Sequence, residues 1–300
     1  MKRFRAGSTQ PWSEASAVDQ SISFDPADPA VGRTVVAAGL RTHYLEAGSG
    51  EPLVLLHGSG PGVSAWENWA GVIPDLSRRR RVLAPDIPGF GATERKPDGE
   101  YGMAFWVDHL FAFMDAVGAT GAPVVGNSFG GMLAMAASLR DSRRIERLVL
   151  MGSAAGDVPM SEAHQLAARY DGSRGELERI LSLFPFDPAL LTPEMVDRRY
   201  AASVRPGSQQ ATHKIAPAPG KESEAVIKAT PEAELAAIET PTLILHGRDD
   251  KVLPVELAIR VHRAIKPSQL HTFGNCGHWV QLERRDEFVA QVLEFVGGGR

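Results

Sequence analysis

Short apolar runs recur along the chain, and a polar or glycine-bearing stretch follows most of them. Leu53-Val54-Leu55-Leu56 is the first, and Val82-Leu83-Ala84, Val124-Val125, Leu148-Val149-Leu150 and Leu243-Ile244-Leu245 repeat it. Runs this short and this apolar read as strands buried on both faces. Most of the intervening segments carry helical period instead. Trp106, Leu110, Met114 and Val117 fall at helical spacing before Gly118, and Phe288, Val292, Leu293 and Val296 do so before the terminal glycines. Strands alternating with helices predict an α/β chain with a mostly parallel sheet and covering helices. Upstream, Val35-Val36-Ala37 and Thr42-His43-Tyr44-Leu45 flank Gly39 as a hairpin.

The rhythm fails in two places. Residues 1–32 are polar, small and proline-bearing (Pro11, Pro26, Pro29), which predicts an arm with little core of its own. Residues 156–236 are broken by Pro185, Pro188, Pro193, Pro206, Pro217 and Pro219 and read as short helices, a helical cap inserted into the sheet. The chain then divides into an arm (1–32), a first core part (33–155), the cap (156–236) and a second core part (237–300).

Charge narrows the partners. The formal net charge of −4 has both signs interspersed, so there is no footprint for a phosphate backbone or an anionic membrane. No apolar run approaches the roughly 18 residues of a membrane span, and the basic start Met1-Lys2-Arg3-Phe4-Arg5 leads into Ala6-Gly7-Ser8 rather than an apolar leader, so the expected location is cytoplasmic. A single cysteine, Cys276, excludes an internal disulfide and leaves no thiolate cluster for zinc; it reads as a small buried thiol. No H-E-x-x-H or similar spacing points to a metal.

Gly126-Asn127-Ser128-Phe129-Gly130 follows an apolar strand and opens the helical run Met132-Leu133-Ala134-Met135-Ala136-Ala137. That is the strand–turn–helix setting of a G-x-S-x-G nucleophile elbow, with Ser128 as nucleophile. A serine hydroxyl needs a neighbouring base to take its proton. The chain order Ser, Asp or Glu, His of this elbow's fold leaves several histidines, of which His278 sits in the loop Asn275-Cys276-Gly277-His278-Trp279 between an apolar stretch and the last helix. The orienting acid is Asp249 or Asp250, after Leu243-Ile244-Leu245-His246-Gly247-Arg248. Asp86 lies too early in that order and fixes the turn Ile87-Pro88-Gly89-Phe90-Gly91. An oxyanion would be held by the backbone N–H of Phe129 and one from His57-Gly58-Ser59-Gly60-Pro61-Gly62, at Ser59 or Gly60, with His57 a structural member of that loop.

These residues resemble the α/β-hydrolase fold superfamily, and within it the meta-cleavage product hydrolases. The likeness spans residues 34–296 and rests on Gly58-Ser59-Gly60-Pro61-Gly62-Val63-Ser64-Ala65-Trp66 with Asn68, Gly126-Asn127-Ser128-Phe129-Gly130-Gly131, Gly247-Arg248-Asp249-Asp250 and Gly277-His278-Trp279. It implies an eight-stranded sheet, a triad completed by Asp250 through the family's G-x-x-D spacing, and hydrolysis of a carbon–carbon bond in a 2-hydroxy-6-oxohexa-2,4-dienoate. It also implies that Asn68 and Asn127 bind or position the polar dienoate end, that Trp279 lines the pocket, and that a cap arginine pairs with the substrate carboxylate; Arg198 and Arg199 are the two choices, and Arg199 is the one taken. The implied reaction starts with ketonisation of the dienol, which gives the departing carbanion an electron sink. No cofactor is implied, the partner is the small-molecule substrate, and a homo-oligomer is the family habit. Two other functions fit the same triad residues less fully: a carboxylesterase or lactonase, and a non-catalytic binding protein on this scaffold. Dehalogenase and epoxide hydrolase chemistry need a carboxylate where Ser128 stands.

Overall fold

The computed structural model describes residues 32–96, 99–205, 207–208 and 226–298. The arm predicted at 1–32 lies almost wholly outside these residues, as do Pro206, Pro217 and Pro219.

The apolar runs form the strands of an eight-stranded sheet in the order β1-β2-β4-β3-β5-β6-β9-β10. The strands are β1 (Arg33–Ala37), β2 (Leu40–Ala47), β3 (Pro52–Leu56), β4 (Arg81–Pro85), β5 (Val124–Asn127), β6 (Leu148–Met151), β9 (Thr242–Gly247) and β10 (Ser268–Phe273). The first two pair antiparallel around Ala38 and Gly39, both at positive φ (47° and 80°), the geometry of a two-residue turn that matches strand twist. Strand β2 pairs antiparallel with β4, and every pairing from β4 to β10 is parallel.

The continuous apolar runs are explained by burial on two faces. Val54, Leu56, Val124, Leu148 and Leu150 pack with Trp106, Leu110, Phe113, Met114 and Leu133. Their neighbours Leu53, Leu55, Val125, Val149, Leu243 and Leu245 face the other way, against Trp69, Phe288, Val292 and Val296. Each such fully buried side chain contributes about 1.5–3 kcal/mol of transfer free energy. Both helical stripes expected from the sequence are therefore core-facing, in helices Met103–Ala116 and Arg285–Gly297.

Chain order places the site. From β3 the chain runs outward to β4, then returns across β3 to β5, so the order reverses between β3 and β5. The loops leaving the carboxyl ends of these two strands part company there, which opens a crevice. The first loop is His57–Pro61, and the second begins at Ser128.

Between β6 and β9 the chain leaves the sheet. Helices Glu162–Ala168, Arg174–Leu181 and Pro193–Ser203 occupy this stretch, together with an antiparallel ribbon of β7 (Asp157–Pro159) and β8 (Val226–Lys228). The ribbon departs from the expectation of helices alone. Each strand is only three residues long and carries few apolar positions, too little for a period to register. Among the described residues no helix is long and apolar enough to cross a membrane.

Beneath the first hairpin His109 is buried, with its Nε2 2.7 Å from Thr42 Oγ1. Burial pushes its pKa down to about 4. An unfolded histidine titrates near 6.5, so between about pH 6.5 and 4 the unfolded chain binds the extra proton and stability falls as pH falls. The contribution is complete above that window and amounts to about 3 kcal/mol across it. His164 titrates over the same range, so the His109 share is read as a difference. Urea unfolding of His109→Gln should show a shallower loss of stability from pH 6.5 to 4 than the wild type; an unchanged slope would contradict the assignment.

Candidate active site

The turn after β5 is built by close approach. A Cβ on Gly126 would stand 2.4 Å from the Gly130 carbonyl oxygen, and one on Gly130 would stand 2.3 Å from that of Leu56. No side chain fits either position. Ser128 between them sits at φ 51° and ψ −114°, a region that costs a non-glycine residue about 1–3 kcal/mol. Its N–H donates to Met151 O at 2.8 Å, and its carbonyl accepts from Gly131 N at 3.0 Å and Ser153 Oγ at 3.1 Å. These bonds fix the backbone so that the hydroxyl faces the crevice.

The base loop meets the end of β6. His278 is buried, and its Nδ1 lies 2.7 Å from Asp250 Oδ2. An ionised carboxylate only accepts, so Nδ1 carries a proton, and it is in the neutral form of the ring that Nε2 has the lone pair a base needs. Asp250 Oδ1 accepts from the Val252 and Leu253 N–H groups at 2.8 and 2.9 Å. Burial opposes the Asp250 charge, but the His278 charge and hydrogen bonds from His246 and His278 outweigh it and hold the carboxyl far below the usual range. Gly152, next to Met151, leaves room for the imidazole: a Cβ there would lie 3.1 Å from His278 Cε1.

Ser128 opens onto a cavity of about 480 Å³ whose wall includes Ser59, Gly60, Phe129, His164 and Arg199 among Phe90, Trp106, Met132, Leu181, Phe184 and Val252. Phe129 is the first residue of helix Phe129–Arg140. N–H groups there lack an intrahelical acceptor, and the dipole favours negative charge. Gly60, at φ 126°, takes a backbone conformation open to glycine. His57 holds this loop from behind: Nδ1 donates to Gly58 O at 2.6 Å and Nε2 accepts from Ile87 N at 2.9 Å. Burial keeps its pKa low, against Asp86.

Arg199 reaches the cavity from helix Pro193–Ser203, buried, with Trp279 beneath its guanidinium at 4.8 Å. Its Nε lies 3.7 Å from Glu67 Oε2, while the more exposed Arg198 bonds Glu67 Oε1 at 3.1 Å. Two guanidiniums share one carboxylate, so the cluster keeps a positive charge.

The remaining expected residues stand behind this wall. Asn68 Oδ1 accepts from Gly58 N–H at 3.3 Å, Asn127 Nδ2 donates to Met151 O at 3.3 Å, and Trp279 packs on Phe184. None of the three lines the cavity; in this state they brace the two loops. Asp249 bonds Asn275 N–H and Arg248 at the surface, away from His278. Cys276 is buried, and burial raises its thiol pKa.

The α/β hydrolase fold family matches residues 51–285. The 2-hydroxy-6-oxo-2,4-heptadienoate hydrolase of Pseudomonas putida F1 is 43% identical over 266 residues, 89% of this chain and 96% of its own length. The 2-hydroxymuconate semialdehyde hydrolase of Pseudomonas sp. CF600 is 42% identical over 268 residues, 89% of this chain and 94% of its own. In three dimensions a meta-cleavage product hydrolase from Pseudomonas fluorescens IP01, a Ser-to-Ala mutant complexed with acetates, superimposes with TM-score 0.85 at 40% identity, covering 90% of this chain and 99% of that one. The chain belongs to the α/β-hydrolase fold family, in its meta-cleavage product hydrolase branch.

Three features of this α/β-hydrolase escape sequence reasoning. Glu283 accepts from Gly277, Trp279 and Phe186 N–H groups, so one carboxylate ties the base loop to the segment above it. His246, fully buried, bonds Leu253 O at 2.8 Å and approaches Asp250 Oδ2 at 3.4 Å. Glu67 neutralises part of the arginine pair. Each is an ordinary charged or aromatic residue in the sequence, and only the fold gives it a partner. Because Asp250 and not Asp249 bonds His278, Asp250→Asn should lower kcat by on the order of 10⁴-fold through the wrong tautomer, while Asp249→Asn should cost little. Steady-state rates of the two purified variants decide it, and a reversed order would reassign the acid.

Proposed function

We propose that this protein hydrolyses the C5–C6 bond of a 2-hydroxy-6-oxohexa-2,4-dienoate-type product of aromatic meta-cleavage, with Ser128, Asp250 and His278 as its triad. The observation that carries the reading is Arg199 on the same cavity wall as Ser128. A neutral ester or lactone has no use for a buried guanidinium, whereas a dienoate brings a carboxylate into a largely apolar cavity and needs a fixed, bidentate cation.

With the carboxylate on Arg199, the C6 carbonyl comes to Ser128. His278, oriented by Asp250, takes the proton as the nucleophile adds. Attack by Ser128 and attack by a water held at Ser128 place the same demand on this base. The oxyanion falls to the N–H of Phe129 and that of Ser59 or Gly60, where fixed dipoles stabilise charge as it develops. Ketonisation has already moved the 2-hydroxyl proton to C5, so when the C5–C6 bond breaks its electrons pass through the conjugated chain to the C2 oxygen, and the proton held by His278 is passed on to that oxygen. Water supplies the hydroxyl of the released acid, leaving 2-hydroxypenta-2,4-dienoate.

Several supporting assignments belong to the same proposal. The described helices between Glu162 and Ser203 act as the cap over this cavity, and Asn68, Asn127 and Trp279 support the dienoate end through the loops they brace. The setting is a cytoplasmic homo-oligomer; a lone buried cysteine fits a reducing compartment.

The purified protein should bleach a coloured 6-alkyl dienoate without added metal or nucleotide and form 2-hydroxypenta-2,4-dienoate. Ser128→Ala should lose about 10⁶-fold in kcat, the scale for a triad serine. Arg199→Ala should lose about 2–5 kcal/mol on the dienoate, the range for one partner of a buried charge pair, and should spare a neutral ester. Brisk hydrolysis of p-nitrophenyl acetate with every dienoate left untouched would replace the proposal with an esterase.

A further inference from the structure

One polar group on the cavity wall has no part in the reaction as described. His164 lies on helix Glu162–Ala168 and lines the same cavity as Ser128. Ser161 caps that helix, and the two side chains close a reciprocal capping box in which His164 takes the place usually held by a glutamate or glutamine. Its Nδ1 lies 2.8 Å from Ser161 Oγ and 3.3 Å from Ser161 N. A backbone N–H only donates, so Nδ1 is the acceptor, and the neutral ring carries its proton on Nε2. Among the described residues no hydrogen bond is made by Nε2.

The surroundings say what that donor meets. Ala163, the residue before it, packs with Met132, Val158 and Val252, and apolar side chains make up most of the wall. Arg199 comes from a different helix with Glu67 and Trp279 as its neighbours. A dienoate with its carboxylate at Arg199 and its carbonyl at Ser128 presents its C6 substituent to the rest of the wall, to which His164 belongs. Burial, with help from the charge on His278 and against Asp250, pushes the His164 pKa down to about 4. At neutral pH it is therefore a directional donor without charge.

Resting on the dienoate reading above, we propose that His164 is a specificity-determining residue: its Nε2–H donates to an uncharged oxygen on the C6 substituent. The chain takes dienoates whose ketonic side chain carries an ether, hydroxyl or carbonyl oxygen in preference to purely alkyl ones. An alkyl chain that displaces water from Nε2–H leaves a buried donor unsatisfied, and the same chain with an acceptor does not.

Two dienoates of matched shape test this, one with n-butyl at C6 and one with 2-methoxyethyl, whose oxygen only accepts. The readout is the ratio of their kcat/KM values, compared between proteins so that intrinsic reactivity cancels. The ether-to-alkyl ratio should fall by about tenfold or more in His164→Leu, the scale of one hydrogen bond, and should be largely kept in His164→Gln, whose amide still donates. An unchanged ratio in His164→Leu, or equal losses on both substrates in both variants, would overturn the inference while leaving the dienoate reading in place. Failure of the wild type to consume either dienoate would instead overturn that reading, and this inference with it.

Discussion

A serine held at φ 51° and ψ −114° is a strained residue, and the surrounding backbone exists in the form that holds it there. Gly126 and Gly130 let β5, the following helix and the end of β3 approach to distances that exclude a Cβ. That approach puts the His57–Pro61 loop beside the Ser128 turn, so the candidate nucleophile and both candidate oxyanion donors come from one packing event. The strain of about 1–3 kcal/mol is offset by a core in which β3, β5 and β6 are buried on both faces. Function at this site draws on the stability of the sheet beneath it.

His278, the candidate base, is placed by a second set of constraints that are electrostatic. Asp250 is anchored by two N–H groups on one oxygen and by His278 on the other, which fixes the imidazole's tautomer and its direction together. The loop carrying His278 is tied upward as well: its N–H donates to Phe184 O at 2.7 Å, and Gly277 packs so closely under Phe184–Phe186 that a Cβ would meet backbone. Glu283 bonds both sides of that junction. Direct hydrogen bonds therefore join the segment above the cavity to the loop that carries His278.

How much of this was legible in the sequence depends on whether the signal was periodic or spatial. Leu53–Leu56 and Leu243–Leu245 announce buried strands because every residue is apolar, and Gly126-x-Ser128-x-Gly130 announces a turn because its spacing follows a strand and opens a helix. The choice of Asp250 over Asp249 came only with the family's spacing; in the fold, the two carboxylates point into different hydrogen-bond sets. Asn68 and Asn127, expected to bind or position the dienoate end, bond Gly58 N–H and Met151 O, partners that the sequence does not announce. Glu67, Glu283 and His164 carried no signal, since a glutamate near an aromatic or a histidine near a serine is common; their partners lie across elements or depend on a cap geometry that composition does not encode. The β7–β8 ribbon gives no signal because strands of three residues are too short for a period to register.

Activation of Ser128, the candidate nucleophile, is expected to need both the strain at its turn and the charge on Asp250. Intact-mass and peptide-mapping measurement of labelling by a fluorophosphonate tests it most directly, because the reagent reports nucleophilicity without reference to any substrate. One adduct per chain is expected, located on Ser128, with a labelling rate that drops by on the order of 10³-fold or more in His278→Gln, as members of a triad act as a unit. An adduct on another residue, or a rate that does not depend on His278, would contradict it.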